Sequence, residues 1–187
     1  MAALVGFAGS RSLAPQFVPL VRAAALSVLH SGRLIATGCA VGTDQAVISA
    51  LLDARSAQAL TVYAAGGVDG FGFWRCSAFP QVSAASHAGA RVKWWAGGPA
   101  ALPLRQRLAA RSLAMVEALV AAGPGSGLVA FLSSPRSRGT FGTMLEAARR
   151  GLPVLAFCCG FSAERLLPLE PRGGWAQAAP AGFWCHA

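Results

Sequence analysis

Short apolar runs that end at glycine-containing turns are the feature that most constrains the fold of this 187-residue chain. Three such runs occupy residues 4–8, 33–37 and 127–132, and two more strand-like runs occupy residues 60–63 and 153–157. Segments with the three- and four-residue spacing of helices alternate with them. Because strands that alternate with helices favour a parallel sheet, the sequence predicts a single three-layer α/β domain with a mostly parallel sheet and helices on both faces.

Helical patterns and breaks in periodicity divide the rest of the chain. The predicted helices cover residues 13–30, 43–55, 102–122 and 144–150. Periodicity fails between residues 64 and 90, where we expect a long loop that contains a short helix within 82–88, and strand character returns at 91–95. We expect the domain to span residues 1–160 and a Pro/Gly/Trp-rich tail, residues 161–187, to pack on it.

Glycine turns follow three of the predicted strands, at Gly9, at 38–42 and at 139–142. Since the carboxyl ends of parallel strands share one edge of a sheet, the segments 9–11, 38–44 and 137–143 should converge on one crevice. The sequence has neither a G-x-G-x-x-G nor a G-x-x-x-x-G-K-[ST] motif. This argues against an ordinary NAD-binding unit and against a P-loop nucleotide hydrolase.

The third turn has the composition of a phosphate site. Gly139 and Gly142 would let the backbone turn tightly, and Thr140 and Thr143 offer hydroxyl groups. A helix is predicted to begin at Met144, and the free N–H groups of a helix start attract anions. We therefore expect a phosphate at residues 137–143.

Arg111 falls on the apolar face of the predicted helix 102–122, within about 40° of both Leu104 and Met115 at 100° per residue. A buried arginine needs a partner, which could be a carboxylate, a set of carbonyl groups or a bound phosphate. The alternative is an arginine whose charged end reaches the helix edge and water.

Composition limits the kinds of binding partner and the cellular compartment that suit this chain. The net charge of +9 suits anionic metabolites or nucleic acid, but the basic residues are scattered, so nucleic acid is possible and not favoured. The five cysteines (39, 76, 158, 159 and 185) have no C-x-x-C spacing, which fits the reducing cytoplasm and no metal site. The sequence predicts no membrane-spanning helix and no cofactor. A hydrophobic content of 55% favours a homodimer interface.

These motifs together resemble the SLOG superfamily of Rossmann-like nucleotide-binding domains over residues 4–157. The resemblance rests on Gly9-Ser10-Arg11, on Gly38, Gly42 and Asp44 in G-x-x-x-G-x-D, on Arg111, Ser112 and Met115 in R-S-x-x-M, and on Ser137-x-Gly139-Thr140. Within the superfamily the chain is similar to the branch related to YspA and YpsA. The resemblance implies a homodimer that binds a nucleotide or a nucleotide-derived ligand such as an ADP-ribose derivative.

The implied site holds phosphate on main-chain N–H groups at Gly9-Ser10, Gly42-Thr43 and Gly139-Thr140, with charge from two arginines. Its expected ligand-binding residues are Gly9, Ser10, Arg11, Gly38, Gly42, Thr43, Asp44, Arg111, Ser137, Arg138, Gly139, Thr140 and Thr143.

Two relatives in the superfamily imply alternative activities. LOG-type phosphoribohydrolases cleave the N-glycosidic bond of nucleoside monophosphates with an arginine in R-K-x-x-M and a glutamate two residues after the threonine of P-G-G-x-G-T. Here Ser112 replaces the lysine, and Gly142 stands at the position of the glutamate. An enzyme of this kind would have to use Arg111 and Glu146 as catalytic residues, unless Glu146 is simply an exposed helix residue.

DprA-type proteins bind single-stranded DNA on the same fold, which suits the positive charge of this chain. Trp74, Trp94 and Trp95 could stack on bases, or they could pack in the core or at an interface.

Overall fold

A computed structural model describes residues 2–69, 72–73, 77–169, 174–179 and 182–185. Its main sheet has eight strands in the order β6-β3-β2-β1-β7-β8-β10-β9, and β4 and β5 form a separate hairpin. The strands are β1 (Leu4–Gly9), β2 (Leu34–Thr37), β3 (Leu60–Tyr63), β4 (Val68–Asp69), β5 (Gly72–Phe73), β6 (Arg91–Lys93), β7 (Gly127–Leu132), β8 (Val154–Cys158), β9 (Trp175–Ala179) and β10 (Gly182–Cys185).

Six strands, from β6 to β8 in spatial order, pair in parallel. The tail contributes the remaining two: β10 pairs antiparallel with β8, and β9 pairs antiparallel with β10. The predicted mostly parallel sheet is therefore confirmed. The boundary at residue 160 stays a prediction.

Five α-helices of the described residues cover the two faces of the sheet. They are α1 (Val18–His30), α2 (Thr43–Asp53), α3 (Phe79–His87), α4 (Leu104–Ala122) and α5 (Arg138–Arg149). One buried cluster includes Val21, Ile48 and Val82 from α1, α2 and α3. A second cluster, which includes Met115 and Met144, joins α4 and α5 to the other face. This confirms the predicted three-layer arrangement.

Several predicted boundaries were wrong, and two of the errors concern the crevice. Residues 139–142 do not form a turn, because α5 begins at Arg138 and both glycines lie inside the helix. The sequence also predicts Thr43 or Asp44 as the cap of the second helix, but the capping residue of α2 is Gly42, and no side chain caps the helix. Leu104 does not belong to the apolar face of α4, since it is 42% exposed.

The irregular segment 64–90 holds more structure than the sequence predicted. It contains the β4–β5 hairpin, and α3 begins at Phe79 instead of Val82. Trp74 and Cys76, which the sequence analysis singled out, lie outside the described residues. None of the helices in the described ranges combines the length and the hydropathy that crossing a bilayer requires.

Candidate functional site

Hydrogen bonds join the loops that follow β1, β2 and β7 at the carboxyl edge of the sheet. The main-chain N–H of Thr43 donates to the carbonyl oxygen of Ser10 over 3.1 Å, and the N–H of Ser10 donates to Phe131 over 2.9 Å. The hydroxyl oxygens of Ser133 and Ser10 lie 2.6 Å apart. The prediction that the glycine turns after β1 and β2 converge is therefore confirmed. Both turns lie near the end of β7, the strand that precedes the third predicted turn.

These bonds also correct the expected phosphate cradle. The N–H groups of Ser10 and Thr43 already have carbonyl acceptors, so they are not available to a phosphate in this conformation. The start of α5 is different, because the first N–H groups of a helix have no acceptor within the helix. There the first helical bond runs from the N–H of Phe141 to the carbonyl of Ser137.

Close backbone packing explains the glycines of the first two turns. Gly42 has a φ of 85°, which favours glycine, and a Cβ there would overlap the carbonyl oxygen of Ser10. A Cβ on Gly9 would overlap the side chain of Thr43, and a Cβ on Gly38 would overlap the guanidinium of Arg111. These glycines allow the loops to approach each other and to admit the arginine.

Arg111 extends from α4 to the start of α2 and pairs with Asp44. Its Nη1 lies 3.2 Å from Asp44 Oδ2, and the two side chains are only 11% and 7% exposed. The carboxylate also accepts hydrogen bonds from Thr37 Oγ1 at 3.2 Å and from the N–H of Ala40 at 3.1 Å. Of the partners considered for Arg111, the described residues supply the carboxylate, and the alternative of a side chain that reaches water was wrong.

Asp44 therefore accepts three hydrogen bonds, whereas one nitrogen of Arg111 has no partner among the described residues. The Nε of Arg111 is buried and has no hydrogen-bond partner in the described part of the chain. A buried donor without an acceptor is costly, and Nη2 of the buried Arg107 is in the same position.

A cleft with a volume of about 890 Å³ lies beside this ion pair. Residues from the loop after β1, from α4 and from the start of α5 line it. The expected ligand residues among them are Gly9, Ser10, Arg11, Asp44, Arg111, Ser137, Arg138, Gly139, Thr140 and Thr143, and Glu146 and Gly142 line it as well. Gly38, Gly42 and Thr43 are not among the lining residues; the last two contact Ser10, and Gly38 contacts Arg111.

Positive charge dominates the cleft. Among the described residues its lining includes the arginines at positions 11, 105, 111, 136 and 138 and two carboxylates, Asp44 and Glu146. Glu146 accepts a hydrogen bond from Arg150 Nε over 2.7 Å, one helical turn away. The hydroxyl of Thr143 donates to the carbonyl of Gly139 over 3.0 Å, so this side chain serves the helix itself.

Sequence reasoning missed Arg107, which is completely buried one turn before Arg111 on α4. Its Nη1 donates to the carbonyl of Ala65 over 2.9 Å and its Nε to the carbonyl of Leu102 over 3.0 Å. The guanidinium carbon lies 5.7 Å from the centre of the Trp95 ring. The four-residue spacing from Arg111 was the available signal, since residues i and i+4 share a helix face.

Of the tryptophans and cysteines that the sequence raised, those with described side chains (Trp94, Trp95, Cys39, Cys158 and Cys159) are not among the residues that line the cleft. Trp94 borders a different groove, and Trp95 packs against Gly67 and Arg107. Burial raises the pKa of Cys158 and of Cys159 to about 11. Among the described residues no group of three His, Cys, Asp or Glu side chains is placed to hold a metal ion.

Together the sheet order and the cleft at its carboxyl edge define a Rossmann-like α/β domain. Among solved structures the chain is similar to the X-ray structure of DNA processing protein A (DprA) from Streptococcus pneumoniae, with a TM-score of 0.63 and 21% identity. The match covers 88% of this chain and 53% of that one, so this chain spans about half the length of DprA. No protein-family model matches the sequence, and a comparison with curated proteins found no match.

At this identity the likeness establishes a shared fold. It confirms the fold that the resemblance to DprA-type domains implied. Membership in the branch related to YspA and YpsA stays a prediction.

Proposed function

We propose that the cleft binds a nucleotide or a nucleotide-derived ligand, either a nucleoside phosphate or an ADP-ribose-like molecule, with a phosphate at the start of α5. One observation carries the proposal: the N-terminus of α5 and the guanidinium of Arg111 line the same cleft. Free N–H groups and the helix dipole attract an anion at that end of the helix.

The ion pair with Asp44 holds the guanidinium of Arg111 in position at this site. The carboxylate engages Nη1, so the remaining donors of the guanidinium stay available for a phosphate. Because Asp44 is negative and already accepts three hydrogen bonds, it serves as a positioning residue and does not contact the phosphate.

Calorimetry with AMP, ADP, ATP and ADP-ribose tests the proposal. A charged hydrogen bond contributes roughly 1.5–3 kcal/mol, so Arg111→Ala should weaken binding about tenfold or more. Arg138→Ala provides a second variant at an exposed position of the cleft, where loss of the fold is not a concern. Arg33→Ala is the matched control, because it removes the same charge from an exposed position just before β2, at the opposite edge of the sheet.

Unchanged affinity in folded Arg111→Ala and Arg138→Ala proteins would refute the assigned roles of these arginines. Failure of the wild-type protein to bind any of the four nucleotides would refute the proposed function itself.

The five arginines of the cleft also support a second candidate, single-stranded DNA binding, and the similar structure carries the name of a DNA processing protein. A gel shift at 50 mM and 200 mM salt distinguishes it, since a complex that rests on phosphate contacts weakens steeply with salt. Absence of a shift at the lower salt concentration would exclude this candidate.

Glu146 supports a third candidate, hydrolysis of the N-glycosidic bond of a nucleoside monophosphate, because it lines the cleft. With Gly142 in place of a carboxylate, Glu146 would have to act as the acid or nucleophile. Chromatography would detect free base after incubation with AMP or CMP, and Glu146→Gln should abolish it. If no free base is released, hydrolysis is excluded, and binding of the nucleotide without turnover is the remaining candidate.

We further propose a homodimer in the cytoplasm, on the basis of the 55% hydrophobic content and of cysteines without a disulfide pattern. Light scattering on the purified protein tests the oligomeric state.

A further inference from the structure

The second half of α4 presents an apolar face to solvent. From residue 112 to residue 122 this helix has a single charged side chain, Glu117, and its other outward residues are leucine, valine and alanine. The inward residues pack in the core, whereas Val120 is 42% exposed and Ala121 is exposed as well. Because a helix that is apolar on every side is normally buried on every side, we expect a further molecule to cover this face.

A groove with a volume of about 720 Å³ lies beside this face of α4. The ends of β3 and β6, the segment after β6 and the helix itself line it. The edge strand of the sheet on this side is β6, and the helix α3 that packs on it lies on the other face. The wall that α4 contributes is built from Glu117 and four alanines, at positions 114, 118, 121 and 122. Small side chains four residues apart on a helix surface allow a second helix to approach closely.

Two opposite charges line this groove without pairing with each other. Lys93, the only lysine of the chain, has its Nζ 3.2 Å from the hydroxyl oxygen of Tyr63, and the described residues give it no ion pair. The side chain of Glu117 is 54% exposed, and its contact with Arg150 is long, at 3.7 Å, while Arg150 lies 2.7 Å from Glu146. The groove therefore offers one positive and one negative group that the fold keeps apart.

We propose that a second copy of this chain covers the face, with α4 of each copy in the groove of the other. In a two-fold interface each contact occurs twice, so Lys93 of one copy pairs with Glu117 of the other and the reverse pair forms as well. A different protein would have to supply both charges at matching positions, whereas a second copy supplies them by symmetry. The inference rests on the homodimer proposed above and is independent of the bound nucleotide.

Charge reversal and sedimentation equilibrium of the full chain test this interface. Lys93→Glu and Glu117→Lys each place like charges against one another at two points of the dimer, so each should raise its dissociation constant at least about tenfold. Ala121→Glu, which adds a charge at an exposed position of the groove, should do the same. Arg55→Glu is the matched control, because it reverses an exposed charge just after α2, on the other face of the sheet, and should leave the dimer unchanged. Melting temperatures identify the variants that stay folded.

Two combinations distinguish the ion pair from a general loss of structure. The Lys93→Glu and Glu117→Lys proteins should form a mixed dimer when they are combined, because the first has only acidic side chains at the two positions and the second only basic ones. The double variant Lys93→Glu/Glu117→Lys exchanges the two charges, so it should dimerise nearly as tightly as wild type. If loss of the contact with Tyr63 unfolds Lys93→Glu, the exposed variants Glu117→Lys and Ala121→Glu still test the interface.

A wild-type dimer that none of the folded groove variants weakens would overturn this interface and leave the homodimer standing. Absence of both the mixed dimer and the dimer of the double variant would also overturn it, since the weakening would then not come from the charge pair. Weakening by Arg55→Glu would count against it, because the effect would not be local. A wild-type protein that is monomeric at all micromolar concentrations would overturn the interface together with the homodimer and would assign the face to a different protein. Calorimetry with nucleotides tests the proposed ligand separately from all of these results.

Discussion

Removal of Arg111 should destabilise this protein far more than removal of an arginine from a surface ion pair. Arg111→Met keeps much of the side-chain volume but leaves the Asp44 carboxylate without its cation. Both side chains of the pair are about nine-tenths buried, and their nearest atoms are 3.2 Å apart. Water can therefore replace little of the lost interaction.

The magnitude follows from this burial. Breaking a buried ion pair by removing one partner costs about 3–5 kcal/mol. Asp44 keeps its hydrogen bonds from Thr37 and Ala40, so we expect the lower end, about 3 kcal/mol. Asp44→Asn should also destabilise, because it leaves the guanidinium without a counter-charge. The double variant Asp44→Asn/Arg111→Met should lose about 2 kcal/mol less than the sum of the single variants.

Urea denaturation with linear extrapolation measures these free energies of unfolding. Arg22 and Asp53 provide the matched control. Their atoms are closer, at 2.6 Å, but the side chains are 33% and 66% exposed. Arg22→Met should therefore cost less than about 1 kcal/mol.

Two results would refute this reasoning. One is an Arg111→Met protein that is destabilised no more than Arg22→Met. The other is additivity of the two single variants within about 0.5 kcal/mol, which is typical of sites that do not interact.

Three further predictions follow from buried groups. Arg107→Met should lower the free energy of unfolding by about 2 kcal/mol in urea titrations, because two carbonyl groups lose a charged donor; equal stability would refute the role of the arginine as an anchor. Gly38→Ala should destabilise about as much as Arg111→Met, and adding it to Arg111→Met should cost much less than in wild type, since its Cβ displaces the arginine; full additivity would contradict this. Because burial raises the pKa of Cys158 and Cys159 to about 11, both thiols should react slowly with iodoacetamide at pH 8. The free energy of unfolding should fall between about pH 9 and 11, because in that range the thiols ionise only in the unfolded protein. The double variant Cys158→Ser/Cys159→Ser should lose that pH dependence.

The sequence predicted correctly those features that depend on residues close together in the chain. The apolar run at Gly127–Leu132 became β7 with the predicted limits, because a fully buried central strand needs apolar residues throughout. Boundaries next to glycine were less reliable. Gly139 and Gly142 suggested a turn, yet α5 includes both, because glycine permits a turn without requiring one.

The role of individual groups at the site depended on distant parts of the chain. The sequence indicated that Arg111 needs a partner, but Asp44 is 67 residues away, and only the packing of α4 against the start of α2 brings the two together. The same holds for the N–H groups of Ser10 and Thr43, which donate to carbonyl groups of β7 and of the loop after β1, respectively. Arg107 was missed because its burial depends on the segment around Ala65 and Trp95.

The sequence by itself determined the alternation of the parallel strands with helices, and with it the parallel part of the sheet and the edge at which a cleft must form, because these follow from local periodicity and from the shared direction of parallel strands. It did not predict the β4–β5 hairpin or the antiparallel strands β9 and β10. Only the tertiary structure decided which of the expected residues face that cleft. It paired Arg111 with Asp44, an expected ligand residue that also lines the cleft, and it gave the N–H groups of Ser10 and Thr43 carbonyl acceptors in neighbouring segments. The physical reason is that a donor or a charge is available only if no distant group already satisfies it, and that depends on packing.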